Sequence, residues 1–316
     1  RKRLHMTNFD LLPPETLAEA ENAWQRAQDK RKTQRSAHRS LGTASFLDTL
    51  NTAVEEAKKK GETGFGLECI ANPETRQAFM EAFELSRRLV GHLNLSTPTP
   101  EQMISTGLNF QYLAEQFECM RQEESVVPHV VLTPHGLGMK NWLAIGQKIV
   151  NDKTIPNNPL RVDNSEYGLR INIMSRWLRN NIWRNSDQAP TSTTTPGLNT
   201  LPTYQDESYP NVKWTLRLLS GKEQPDHISV SYRWSQKQAP PIECQTLAEG
   251  LTDKFTTILA GKNPTDNYHN SLCWQPNPNA NRVLFVTFDK LHSIIVVGQE
   301  EIDYAKKRNG IRCPVG

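Results

Sequence analysis

A chain of 316 residues with 36% hydrophobic content, 7 Trp and 10 Phe has the material for one large core or two smaller ones, which argues against wholesale disorder. No apolar run approaches the ~18–20 residues of a membrane span, and Leu11-Leu12-Pro13-Pro14 is too short for a secretory h-region. The net charge of +3 is unevenly spread: residues 1–60 carry 12 Lys/Arg against 8 Asp/Glu, residues 62–124 carry 4 against 10, and the remainder carries 21 against 16.

In chain order, Pro13-Pro14-Glu15 opens a helix expected to reach about Arg35, acidic early and basic late, as the helix dipole favours. Ser45 and Asp48 form a capping pair for a second helix that ends before Gly61. Asn72-Pro73-Glu74 sets an N-cap, an N1 proline and an early acid ahead of a third helix reaching about His92. Thr99-Pro100-Glu101-Gln102 repeats the logic, with Gln102 at the capping-box position, for a fourth helix to about Glu124. Val126–Leu132 reads as extended, and Thr133-Pro134 as the start of a helix that contains Trp142, Leu143, Ile145 and Ile149. Residues 151–165 read as a loop, and Glu166–Arg184 as a helix with apolar residues around most of its circumference.

Residues 186–211 are rich in Pro and Thr and read as a linker or long loop. Beyond them the pattern changes to period two. Val212, Trp214, Leu216 and Leu218 alternate with Lys213, Thr215 and Arg217, and residues 227–234 alternate in the same way, as in antiparallel strands with one wet face. A helix over Thr246–Leu259 and strands over Arg282–Phe288 and Ser293–Val297 complete a ββαββ order. The expected fold is α+β: a mainly helical domain over 7–185, a linker over 186–211, and an antiparallel sheet with a covering helix over 212–305.

Three basic clusters suggest a polyanion partner. Arg170, Arg176, Arg179 and Arg184 stand without an acid beside Trp177 and Trp183, a set that can meet phosphates and stack on unpaired bases. Lys213, Arg217 and Arg233 lie on the expected wet strand face, and Lys30, Arg31, Lys32 and Arg35 close the first helix. The reading is a non-enzymatic nucleic-acid-binding protein, DNA ahead of RNA, regulatory or from a mobile element, with no cofactor. Helices within 74–124, carrying Phe79, Phe83, Phe110 and Phe117, offer an oligomer or scaffold surface as well as core.

Catalytic motifs are incomplete. His129 and His135 straddle Pro134 at an expected strand-turn-helix corner and form a two-residue metal candidate, with Asp152 or Asp163 as a third ligand, for a metal-dependent hydrolase or nuclease, but HExxH is absent. Glu243, Asp253, Asp289 and Lys290 supply acids and a lysine at no recognisable nuclease spacing. Cys69, Cys119, Cys244, Cys273 and Cys313 show no zinc-type spacing and fit a reducing, cytoplasmic setting.

Overall fold

The computed structural model describes residues 66–161, 168–172, 201–225, 245–266, 270–273, 282–301, 309–311 and 315. The two helices expected before residue 62, the strand expected over 227–234, and Arg176, Arg179, Arg184, Arg233, Lys30, Arg31, Lys32 and Arg35 lie outside them.

Helix α1 spans Pro73–Val90, and Asn72 caps it: its side-chain oxygen accepts from the amides of Glu74 and Thr75. Thr99 and Gln102 form the expected capping box, yet the helix they start, α2, covers only Pro100–Ser105. Gly107 turns the chain at φ +90, and Asn109 caps a separate helix, α3, over Phe110–Glu124. The single expected helix is therefore two, because the Gly-Leu-Asn stretch carries a stop and a new start.

Strand β1 spans His129–His135 and takes in Thr133 and Pro134, which were expected to start a helix. Its edge position in the sheet tolerates a proline that cannot donate to a ladder. The helix starts later: Gly136 and Gly138 turn the chain at φ +83 and +78, and α4 runs from Met139 to Val150. A side chain at Gly136 would meet the Asn211 carbonyl, so two constraints require glycine there.

The helix expected over 166–184 is corrected in its described part. Leu169–Asn172 is strand β2, paired parallel to Ile295–Gly298. Leu169 and Ile171 alternate with Arg170 and Asn172, a period-two signal that the apolar residues downstream obscured. Strand β3 is Tyr204–Gln205, β4 is Lys213–Leu219, and helix α5 spans Leu247–Leu259. The remaining strands are β5 (Asn270–Cys273), β6 (Arg282–Asp289), β7 (Ile294–Glu301) and β8 (Asn309–Ile311).

The protein is α+β, as composition and pattern predict, but its strands form two sheets. One has the order β1-β4-β3 and is antiparallel. The other has the order β2-β7-β6-β5-β8, with parallel pairs at its two edges. Strand β4 thus belongs to a different sheet from β6 and β7, which corrects the single four-stranded ββαββ sheet. It pairs over its full length with β1, on the far side of residues 186–211 in sequence.

Helix α5 touches both sheets, packing against β1 on one side and β5 and β6 on another, with α1 and α4 alongside. Every one of its residues except Thr257 is buried. Phe255 stacks on Trp142 of α4 at 6.2 Å, and Phe79 of α1 meets Phe110 of α3 edge-on at 5.9 Å. The aromatic residues of 74–124 thus contribute mainly to the core, with Phe79, Phe110 and Phe117 buried. Among the described residues, no helix is long and apolar enough to cross a membrane.

Candidate functional site

A buried helix facing two sheets should be apolar on every side, and α5 is not. Glu249, Asp253 and Lys254 are at most 2% exposed. Their partners are equally deep. Arg217 of β4, 1% exposed, donates to Glu249 at 3.1 Å. The Lys254 ammonium lies 2.6 Å from Asp266, 3.0 Å from the Thr265 hydroxyl and 3.2 Å from Asp253. The other oxygen of Asp253 meets His129 Nδ1 at 2.5 Å. Burial at this depth costs each charge several kcal/mol of hydration, roughly, which good geometry is needed to offset.

Register explains why these groups meet. Residues four apart on a helix advance ~6 Å, and residues two apart on a strand advance ~6.6 Å. Glu249 and Asp253 therefore step along α5 in time with every second residue of the sheet beneath. Val131 lies opposite Arg217 and His129 opposite Leu219, so His129 and Arg217 share one sheet face at neighbouring steps. Thr215 and His135 continue that face, bonded at 2.9 Å.

This placement corrects several sequence expectations. The face carrying Lys213, Thr215 and Arg217 is not wet: α5 covers it, Thr215 and Arg217 are buried, and Arg217 is neutralised by Glu249 rather than offered to a phosphate. Lys213 is half-buried at the strand start, and Arg170 is half-buried on β2. His129 and His135 sit six residues apart on one extended strand, about 20 Å by the rise of a strand, so they do not converge on an ion. Among the described residues, no group of three or more His, Cys, Asp or Glu side chains is placed to hold a metal. Asp289 pairs with His292 on an exposed turn with Lys290, apart from Asp253.

The buried chain of charges reaches solvent at His129, whose side chain is 27% exposed. Next to it, β4 is followed by Ser220-Gly221-Lys222. A Cβ on Gly221 would lie 3.6 Å from His129 Cδ2, so the backbone there passes against the ring. Ser220 donates to Glu124 at 2.6 Å, and the Lys222 ammonium lies 3.5 Å from the same carboxylate. An imidazole oriented by a buried carboxylate and partly exposed to solvent can exchange protons with a bound molecule.

A second feature is exposed. The C-terminal ends of α1, α4 and α5 meet: Arg88 donates to the Leu259 carbonyl at 3.1 Å, and a Cβ on Gly261 would touch Pro156 in the loop after α4. Arg87, Arg88, Lys148, Lys153 and Lys262 are all exposed at these ends, against Glu84 and Asp152. Bonds from Thr154 hold the Asp152 carboxyl below its ordinary range, and Arg88 and Lys148 add to the effect. Basic residues complement the partial negative charge of helix ends, and three ends brought together concentrate them.

Burial pushes the Cys273 thiol far up, and it lies close enough to feel Lys254, Asp266 and Glu249. No family model matches the chain, and no curated protein or solved structure matches it. The basic helix ends escaped sequence reasoning because Arg88, Lys148 and Lys262 are far apart in the chain. Glu249 and Asp253 carried a readable signal, an i,i+4 acid pair inside an otherwise apolar helix.

Proposed function

We propose that this protein binds nucleic acid, and that the exposed cations at the joined ends of α1, α4 and α5 contact its phosphates. The observation that carries this reading is the set of exposed cations Arg88, Lys148, Lys153 and Lys262 beside the single carboxylate of Asp152, with Arg87 already paired to Glu84 at 2.7 Å. Each phosphate neutralised releases counterions, so such a surface binds a polyanion in a salt-dependent way. Lys213 and Arg170, half-exposed, and Arg176, Arg179, Arg184 and Arg233 extend the proposal as separate sets, as do Lys30, Arg31, Lys32 and Arg35. Arg217 does not belong to it.

The test is fluorescence anisotropy with labelled duplex DNA, single-stranded DNA and RNA of equal length across a salt series. The set Lys148→Glu, Lys153→Glu, Lys262→Glu should weaken binding and flatten the slope of log K against log salt by up to ~3 for a duplex, about 0.9 per lost phosphate contact. Binding with an unchanged slope in that triple variant would remove this surface from the reading.

A further inference from the structure

We infer that His129 is the general base of an RNA-cleaving site; the inference rests on the nucleic-acid reading above and adds a reaction to it. The geometry supplies the parts in order. Asp253, 2% exposed, accepts from His129 Nδ1, and its second oxygen is held by Lys254, which Asp266 and Thr265 hold in turn. A carboxylate fixed at both oxygens cannot swing away from the ring. With the Nδ1 proton committed to Asp253, Nε2 is the ring nitrogen left to accept a proton, on a side chain that is 27% exposed.

RNA is the nucleic acid that suits a lone histidine base, because it carries its own nucleophile next to each phosphate. His129 Nε2 takes the proton of a ribose 2′-hydroxyl. The 2′-oxygen forms a bond to the adjacent phosphorus as the bond from phosphorus to the 5′-oxygen breaks. The leaving oxygen takes a proton from water, and His129 returns its own proton to water. The products are a 2′,3′-cyclic phosphate and a 5′-hydroxyl end, and nothing is oxidised or reduced. Lys222 follows the Gly221 backbone that packs on the ring, but its ammonium is paired with Glu124 at 3.5 Å, so the scheme assigns it no role. Asp253 is a positioning residue in this scheme. DNA, lacking the 2′-hydroxyl, is bound and left intact.

The experiment uses the full chain with end-labelled RNA and DNA of one sequence in EDTA, read on denaturing gels, with binding followed in parallel by anisotropy. RNA should be cut to cyclic-phosphate and 5′-hydroxyl ends while DNA is not. His129→Gln should lower the rate by about 10²-fold or more, the usual worth of a positioned base, with affinity for RNA unchanged. Asp253→Asn should lower kcat by about tenfold or more while KM stays within about twofold, and alter the pH profile of kcat, a split that general loosening of the fold would not produce. RNA bound but intact, or cleaved at the wild-type rate by His129→Gln, overturns the catalytic site and leaves the binding reading standing. No affinity for any nucleic acid at any salt overturns both.

Discussion

Replacing Glu249 by Gln changes one buried charge and little else. The side chain keeps its shape, and its amide oxygen can still accept from the Thr246 amide in the capping box at the start of α5, a bond of 2.8 Å in the native helix. The loss is electrostatic. Glu249 is 0% exposed and Arg217 1%, with 3.1 Å between them. At an effective dielectric constant of 20, their attraction is about 5 kcal/mol, and breaking one partner of such a pair costs about 3–5 kcal/mol because the other charge stays buried. For a unit of this size that corresponds to a fall in Tm of roughly 6–20 °C. Urea unfolding followed by the fluorescence of Trp142 and Trp214, both buried, measures it. Arg217→Met should cost a similar amount. The double variant should be less destabilised than the sum of the two by about 1–3 kcal/mol, since neither orphan charge remains. Glu249→Gln within ~0.5 kcal/mol of the native protein, or strict additivity, would refute the claim that this pair is buried and coupled.

Gln245 is fully buried beside Gly250, and neither its amide nitrogen nor its oxygen finds a hydrogen-bond partner among the described residues. Gln245→Met should therefore stabilise the protein by about 1 kcal/mol in the same urea titration, because a buried unpaired amide costs ~1–3 kcal/mol. Cys119 is exposed, whereas Cys273 is fully buried with its thiol held far above the ordinary range by desolvation. A thiol-alkylating reagent followed by mass spectrometry should label Cys119 in the native state and Cys273 only after denaturation.

Local chemistry was legible in the sequence wherever one residue acts on its near neighbours. Asn72, Thr99 with Gln102, and the Thr246 boundary all behave as capping chemistry requires. Strand β4 follows from alternation, and β6 and β7 from short apolar runs of strand length. What failed was long-range. Alternation at Lys213, Thr215 and Arg217 says only that one face is polar; it cannot say whether that face meets water or a second polar surface, and here Glu249 comes from 32 residues away. The same limit hid the two-sheet arrangement, because a parallel pairing such as β2 with β7 joins residues more than a hundred positions apart. Pro134 misled in a different way: Thr-Pro is a helix-start signal, but an edge strand accepts the same dipeptide. For the candidate site, His129 is visible in the sequence as a chemically interesting residue, while its partner, Asp253, lies 124 residues away with nothing local to link the two.

The most direct measurement of where nucleic acid sits is lysine protection. The full chain is acylated briefly with an amine-reactive reagent, alone and saturated with a DNA or RNA oligonucleotide, and each lysine is quantified by mass spectrometry. Lys148, Lys153 and Lys262 should be protected in the complex, while exposed Lys140, at the other end of α4 and ~12 Å from Lys148 along the helix, should not. Equal labelling of Lys148, Lys153 and Lys262 with and without bound nucleic acid would contradict the account.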